Sequence, residues 1–283
     1  MKIFNKITII GVGLIGGSIG LAVKKRRLAK IVCGVGRRVS SLKKAKARGA
    51  VDIATLDLQA GIKNADLVII ATPISLVSQY ALKIAALSHL ARKKLIISDV
   101  GSTKEFVVSK LEGLLPENIH FVGAHPFAGS EKSSVVNASA DLFQGSKVFL
   151  APTKKTNRPA LNKIKKFWQA LGSEVVVISA KRHDRLVAAI SHVPHIVAAG
   201  LVNSTDKKDI AFASTGFFDT TRIASGDPMM WRDICLSNAK NILKSIDNFK
   251  RNLDVLAKAI KNKDVSKLMQ QFEAAKESRE KIK

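Results

Sequence analysis

The sequence predicts two structural parts, an α/β domain built on a parallel sheet and an all-α domain after it. Up to about residue 179, short apolar runs rich in β-branched residues alternate with amphipathic stretches rich in Lys, Ala and Leu. This alternation is typical of a parallel sheet covered by helices on both faces. After residue 179 no strand pattern is found and the periodicity is helical. We therefore place the domains at 1–179 and 180–283.

The elements of the α/β domain can be assigned in order. The strand candidates are 6–11, 30–36, 66–72, 94–100, 120–124, 147–152 and 174–179. The helix candidates are 16–27, 40–48, 75–91, 103–113 and 161–171. In the second domain, the stretch 186–202 is too apolar to face water on any side, so it lies in the core of that domain or packs against a second subunit. We expect a homodimer built on these helices.

The chain is strongly basic, with 47 Lys and Arg against 22 Asp and Glu, a net charge of +25. A chain with such a charge could bind nucleic acid, an anionic membrane or an anionic small molecule. The basic residues are scattered, and no tail or aromatic-interleaved segment concentrates them. We therefore expect a solvated basic surface and no nucleic-acid partner.

Several features predict a cytoplasmic protein. Strand-like sequence begins almost at Met1, so we expect no signal or transit peptide. No apolar run reaches the ~18 residues that span a bilayer, so we expect no membrane partner. The two cysteines, Cys33 and Cys235, lie far apart and fit a reducing compartment. No metal site is expected, because no Cys or acid accompanies His192 and His195 at ligand spacing.

The first strand candidate runs into GVGLIGGS (11–18), with Gly11, Gly13 and Gly16 in G-x-G-x-x-G register around Leu14 and Ile15. Following a strand and opening a helix, this pattern is typical of a dinucleotide-binding turn. The first glycine permits the turn, the second lets the backbone approach a pyrophosphate, and the third lets helix and strand pack closely. We therefore expect a Rossmann-type nucleotide-binding domain.

The end of the second strand bears on the choice of cofactor. An acid that binds the ribose of NAD commonly stands there, but this chain has Gly36, followed by Arg37, Arg38 and Ser40. Arginine and hydroxyl groups suit a 2′-phosphate, so NADP is favoured, with NAD possible. Alternatively, one arginine stacks on the adenine, which is compatible with either cofactor.

The later strands also end in polar residues. Thr72 and Pro73 follow the third long strand, and Ser102 follows the next. The carboxyl ends of parallel strands border the ligand crevice, so these residues are expected near the nicotinamide. Thr72 and Ser102 could also be simple helix caps.

Oxidation of an alcohol needs a base near the hydroxyl, and histidine suits that role at neutral pH. An anionic substrate needs a fixed arginine, for which Arg222 is available. Residue chemistry alone does not choose among His125, His192 and His195. The other three histidines lie in polar or charged stretches and are expected to be surface or structural residues: His89, His120 and His183.

Five ordered motifs resemble the prephenate/arogenate dehydrogenase family over nearly the whole chain. They are GVGLIGGSIG (11–20), DVGSTK (99–104), GAHPFAGSEKSS (123–134), SHVPH (191–195) and TTRIASGDPMMWRDI (220–234). The resemblance implies a nucleotide-binding domain, a helical dimerisation domain, and NAD(P)-dependent oxidative decarboxylation of prephenate or arogenate in tyrosine synthesis.

The resemblance also implies roles for individual residues. His125 matches the catalytic histidine, and Ser102 matches the serine that orients it. Arg222 matches the arginine that holds a substrate carboxylate. Further pocket residues matched in this way are His195, Ser130, Trp231 and, in a supporting role, His192.

Two departures leave the substrate open. The family often carries GGGF where this chain has STGFF (214–218), and the segment between SHVPH and Arg222 is short. Two other functions are alternatives. A β-hydroxyacid-type dehydrogenase would need a catalytic lysine in the helical domain, where only Lys181 is available. A nucleotide-sensing, nucleic-acid-binding protein would give no reason for the histidines and Arg222.

Overall fold

The computed structural model describes residues 2–91, 94–111, 113–129 and 134–282. The first domain is built on an eight-stranded sheet of order β3-β2-β1-β4-β5-β6-β7-β8. Its strands are β1 Phe4–Ile10, β2 Ala29–Val35, β3 Ile53–Thr55, β4 Leu67–Ile70, β5 Leu95–Asp99, β6 Ile119–Phe127, β7 Lys147–Ala151 and β8 Glu174–Val177. The order of β1 to β6 is that of a Rossmann fold.

Six α-helices accompany the sheet: α1 Leu14–Lys25, α2 Val39–Ala47, α3 Leu58–Ile62, α4 Ile74–Ala86, α5 Glu105–Leu111 and α6 Arg158–Ala170. The helical region that follows contains α7 Ala180–Val187, α8 Val193–Ser204, α9 Lys207–Ile210, α10 Thr215–Thr221, α11 Pro228–Ser237, α12 Ala239–Lys261 and α13 Val265–Glu280. The predicted fold class is confirmed: a largely parallel α/β sheet precedes a helical region.

The sheet differs from the prediction in three details. The pairing of β6 with β7 is antiparallel, whereas the other described pairs are parallel. The short elements β3 and α3 were not predicted, because three and five residues give too little periodicity. Strand β6 continues to Phe127 rather than ending at residue 124, so His125 lies within the strand.

Apolar side chains cover both faces of the sheet, as the near-continuous apolar strands predict. On β4, Leu67 and Ile69 pack into one core, while Val68 and Ile70 pack into the core on the opposite face. Burial on both sides explains why the central strands lack alternation.

The apolar segment of the helical region forms one continuous helix with a π turn, Ala188–His192, between α7 and α8. One side of this helix packs in the core of the helical region, where Ala188 and Val193 are buried with Ile242, whereas Ile190 is 53% exposed and Leu201 37%. The first predicted setting therefore holds for one side of the helix, whereas the helical region of one chain leaves the exposed side chains uncovered. Packing of the exposed side against a second subunit stays a prediction.

Ala180–Ser204 is also the one helix of the described chain that is long and apolar enough to cross a membrane. The expectation that no apolar run reaches this length is therefore wrong. Core helices of soluble proteins satisfy the same criterion, and this helix carries buried polar side chains: His183, Asp184, His192 and His195. Buried ionisable groups with protein hydrogen-bond partners indicate a helix packed in protein rather than in lipid.

Candidate active site

The glycine turn between β1 and α1 has the geometry of a pyrophosphate cradle. Gly11 has φ +92°, and a Cβ there would lie 2.4 Å from the carbonyl oxygen of Ala71. A Cβ on Gly16 would lie 2.1 Å from the carbonyl oxygen of Gly11, whereas one on Gly13 would meet nothing within 4 Å. No side chain caps the N-terminus of α1, which begins at Leu14, so its backbone N–H groups can receive an anion. These residues fit a dinucleotide.

The end of β2 also fits the sequence prediction. A Cβ on Gly36 would lie 3.1 Å from the Leu42 side chain, so this position has little room for an acid. Arg37, Arg38 and Ser40 are exposed at the start of α2. The site therefore presents positive charge where an NAD-binding acid would stand.

The predicted site residues of four strands meet at one edge of the sheet. Because β1, β4, β5 and β6 are mutually parallel, their carboxyl ends lie along the same edge. Gly11 follows β1, Thr72 follows β4 and Ser102 follows β5, while His125 lies near the end of β6. This edge is where open α/β sheets bind their ligands.

A buried ion pair joins the ends of β5 and β6. The Lys104 ammonium contacts the Asp99 carboxylate and donates to the carbonyl oxygen of Ala124 at 2.7 Å. The same carboxylate accepts from the backbone N–H of Gly101 at 2.9 Å and of Ala124 at 3.2 Å. Burial lowers the pKa of Lys104, and the Asp99 carboxylate opposes that shift. The pair fixes the loop carrying Ser102 next to the residue that precedes His125.

His125 is buried, with 8% of its surface exposed. Its Nδ1 lies 2.9 Å from Nε2 of His183. Burial is the main reason why the pKa of His125 is well below its usual value, and His183, Lys104 and His192 lower it further. A neutral imidazole at pH 7 can accept a proton.

His183 is fully buried, so of the two settings predicted for it, surface or structural, the surface one is excluded. Its Nδ1 lies 2.7 Å from the Asp184 carboxylate, which also accepts from the backbone N–H of Lys104 and Glu105. The charged neighbours of His183 in sequence suggested exposure. However, α7 buries positions 183, 184 and 187, and this helical spacing was the signal that could have identified His183.

Ser102 is half-buried. Among the residues that the structure describes, no hydrogen bond joins it to His125, whose Nδ1 is next to His183. The orienting role of Ser102 stays a prediction. Ser130 lies outside the described residues.

The histidines of α8 and the preceding π turn extend the cluster. Asn238 donates through Nδ2 to the Asp184 carbonyl oxygen at 2.8 Å, and the same nitrogen lies 3.2 Å from Nδ1 of His192. Burial lowers the pKa of His192 to about 4. His195 stacks on Trp231, with ring centroids 3.5 Å apart and planes 9° from parallel. Burial lowers the pKa of His195 too, and its Nδ1 has no hydrogen-bond partner among the described residues.

Arg222 is the exposed first residue of a 3₁₀ turn, Arg222–Ser225, that packs against α8. The turn leads to Gly226, where a Cβ would lie 2.4 Å from Nε1 of Trp231. The arginine is therefore carried on the segment that packs on the helix of His195. The arrangement combines neutral histidines and an aromatic surface with an arginine on the adjoining turn, groups that can transfer a proton and bind an anion.

Two family models match the chain. "Prephenate dehydrogenase, nucleotide-binding domain" matches residues 19–177, and "Prephenate dehydrogenase, dimerization domain" matches residues 179–274. The prephenate dehydrogenase of Bacillus subtilis is 38% identical over 98% of this chain and 76% of its own length.

Two solved structures are similar along the whole chain. The prephenate dehydrogenase of Aquifex aeolicus, in complex with hydroxyphenyl propionate and NAD⁺, has a TM-score of 0.91 and 32% identity, covering 99% of this chain and 98% of that one. The Synechocystis arogenate dehydrogenase has a TM-score of 0.82 and 30% identity, covering 98% and 99%.

Proposed function

The chain belongs to the prephenate dehydrogenase family, and we propose that it oxidatively decarboxylates prephenate to 4-hydroxyphenylpyruvate, or arogenate to tyrosine, in tyrosine synthesis. The observation that carries the proposal is His125, a buried neutral histidine at the same edge of the sheet as the dinucleotide turn. Both substrates remain open, because similar structures include a prephenate and an arogenate dehydrogenase.

In this reaction the protein must transfer one proton and position the substrate beside the cofactor. The nicotinamide cofactor supplies the hydride acceptor. His125 takes the proton of the ring hydroxyl as that carbon is oxidised to a carbonyl. The bond to the ring carboxylate then breaks, its electron pair enters the ring and CO₂ leaves. His125 returns its proton to the oxygen, which becomes the phenol.

The binding roles follow the matched motifs. Arg222 holds a carboxylate of the substrate, and His195 and Trp231 form the pocket wall that faces it. His192 supports that wall, and Ser130 supplies a hydroxyl to the pocket. Ser102 orients His125 beside the nicotinamide. The contacts of Trp231 support this assignment. Trp231 stacks on His195 and also packs on Gly226, which follows the turn that begins at Arg222, so all three side chains belong to one packed region.

We propose NADP as the preferred cofactor. The glycines of the turn, with Leu14 and Ile15, bind the pyrophosphate, and Thr72 and Pro73 border the nicotinamide. Exposed Arg37, Arg38 and Ser40 bind the 2′-phosphate, a proposal supported by the restricted space at Gly36.

We further propose a cytoplasmic homodimer with domains 1–179 and 180–283. The match to a dimerization-domain model and the exposed apolar residues of the helical region support the dimer. The end of β8 at Val177 and the start of α7 at Ala180 support the boundary. The β-hydroxyacid alternative is disfavoured, because Lys181 is exposed on the surface of α7.

The test is a steady-state assay that crosses prephenate and arogenate with NAD⁺ and NADP⁺. We expect turnover with at least one substrate and a higher kcat/KM with NADP⁺. Failure with all four pairs would refute the proposed function. A preference for NAD⁺ would refute only the assignment of Arg37 and Arg38.

A further inference from the structure

A chain of three buried side chains ends at His125. The Nδ1 of His125 lies 2.9 Å from Nε2 of His183, and Nδ1 of His183 lies 2.7 Å from a carboxylate oxygen of Asp184. His183 and Asp184 are 0% and 1% exposed. Neither has a role in the proposed function so far, although His183 contacts His125 and Asp184 contacts His183.

Asp184 sets the direction of the hydrogen bonds. Its Oδ1 accepts from the backbone N–H of Lys104 at 2.7 Å, and its Oδ2 accepts from the backbone N–H of Glu105 at 2.9 Å. With these donors on both oxygens, the side chain acts as a carboxylate, which can only accept. The hydrogen of the bond to His183 therefore belongs to Nδ1 of the imidazole.

The tautomer of His183 determines the direction of the next hydrogen bond, between Nε2 of His183 and Nδ1 of His125. In a neutral imidazole, one nitrogen donates and the other accepts. A second proton on His183 would place a charge on a ring that is 0% exposed, and burying a charge costs free energy. With its proton on Nδ1, His183 accepts at Nε2, so the proton between the two rings belongs to Nδ1 of His125.

We propose that Asp184 and His183 are positioning residues that hold the proton of His125 on Nδ1 and leave the lone pair on Nε2, the nitrogen that takes the substrate hydroxyl proton. The second half of this statement rests on the proposed function, whereas the tautomer itself does not. With the opposite tautomer, His125 would present an N–H to the hydroxyl and could not accept its proton.

The tautomer can be measured directly on the unliganded wild-type protein. Nitrogen-15 NMR distinguishes protonated from unprotonated ring nitrogens, and His125→Asn assigns the signals. We expect a protonated Nδ1 and an unprotonated Nε2 at neutral pH. A protonated Nε2 on His125, or a doubly protonated His183, would overturn the proposal whether or not prephenate or arogenate is turned over.

A first variant tests Asp184. In Asp184→Asn, an amide cannot accept at both oxygen positions, so at least one of the three donors loses its acceptor. We expect the Nδ1–H population of His125 to fall and kcat to fall ~10²- to 10⁴-fold, with KM changed less than about threefold. Asp233→Asn is the matched control, since that buried carboxylate bonds Ser75 and Arg232 instead. It should leave the tautomer of His125 unchanged.

A second pair of variants tests His183. In His183→Gln, the amide offers one acceptor and one donor, whereas His183→Phe fills the space with neither. We expect Gln to restore at least tenfold more kcat than Phe, and Phe to remove the Nδ1–H preference. Equal kcat values, with the tautomer of His125 unchanged in His183→Phe, would contradict the proposal. If Asp184→Asn fails to fold, the nitrogen-15 spectrum of the wild type still tests the proposed tautomer of His125.

Discussion

At the scale of single residues, the site depends on the exclusion of water and on the absence of Cβ atoms as well as on side-chain contacts. His125 is removed from water, so it stays neutral and able to accept a proton. The glycines of the turn show the same principle, because each lacks a Cβ for a different reason. The backbone crowds Gly16, whereas the space at Gly13 is open and fits a ligand.

Two glycine variants separate these roles. Gly13→Ala should keep the stability within about 0.5 kcal/mol of wild type, since its Cβ meets no protein atom, and should raise the KM for the cofactor. Gly16→Ala should destabilise the fold by about 2 kcal/mol or more, because its Cβ would lie 2.1 Å from a carbonyl oxygen. Urea unfolding and cofactor titration measure both. A destabilised Gly13→Ala with unchanged cofactor binding would contradict the assignment.

At the scale of elements, the site is held by contacts between segments that are distant in sequence. The Asp99–Lys104 pair ties the loop after β5 to β6, and Asp184 ties α7 to the start of α5. In the helical region, Asn238 joins α7 to the π turn. The edge of the sheet that carries His125 is thus held by contacts from both the sheet and the helical region.

Lys104→Met should be strongly destabilising. It leaves the Asp99 carboxylate buried without its cation, a change that costs about 3–5 kcal/mol. Lys147→Met is the matched control, because the Lys147–Glu174 pair is more than half exposed and contributes at most about 1 kcal/mol. Thermal unfolding of the two variants compares them. Equal decreases in stability would contradict the expectation that a buried carboxylate without its cation destabilises the fold more than an exposed one.

The sequence predicts most of the long elements because their periodicity is local. The strands of the sheet and the dinucleotide turn are visible as apolar runs and as glycine spacing. The short β3 and α3 are not, because three and five residues give too little periodicity, and the antiparallel pairing of β7 is not, because it depends on a partner strand. For that reason His125 could be identified by its motif, whereas its contact with His183, fifty-eight residues away, could not be predicted.

At the scale of the whole molecule, acid should weaken the fold. The pKa of His192 is about 4 in the folded chain and about 6.5 when unfolded. Between these values, the unfolded chain binds a proton that the folded chain does not, so the free energy of unfolding decreases as the pH falls. From pH 7 to 5, this histidine alone should remove about 2 kcal/mol.

Urea unfolding at the two pH values measures this loss. His192→Asn should show a smaller decrease than wild type, while His89→Asn, at an exposed position, should match wild type. An identical decrease in wild type and His192→Asn would contradict a neutral buried His192.

The exposed apolar surface of the helical region should be covered by a second copy of the chain. Ile190→Glu combined with Leu201→Glu should convert the dimer to a monomer, because two carboxylates would be desolvated in the interface. Leu114→Glu, at an exposed leucine of the first domain, should remain dimeric. Light scattering after size-exclusion chromatography distinguishes the species. A monomeric wild type would contradict the proposed homodimer.

The most direct test of the central claim is to compare wild type and His125→Asn with prephenate or arogenate, recording reduced cofactor and CO₂ together. We expect one CO₂ per reduced cofactor in wild type. In His125→Asn, both rates should fall ~10²- to 10⁴-fold while cofactor affinity is retained, since only the proton acceptor is lost. A variant with the wild-type kcat would contradict His125 as the catalytic base.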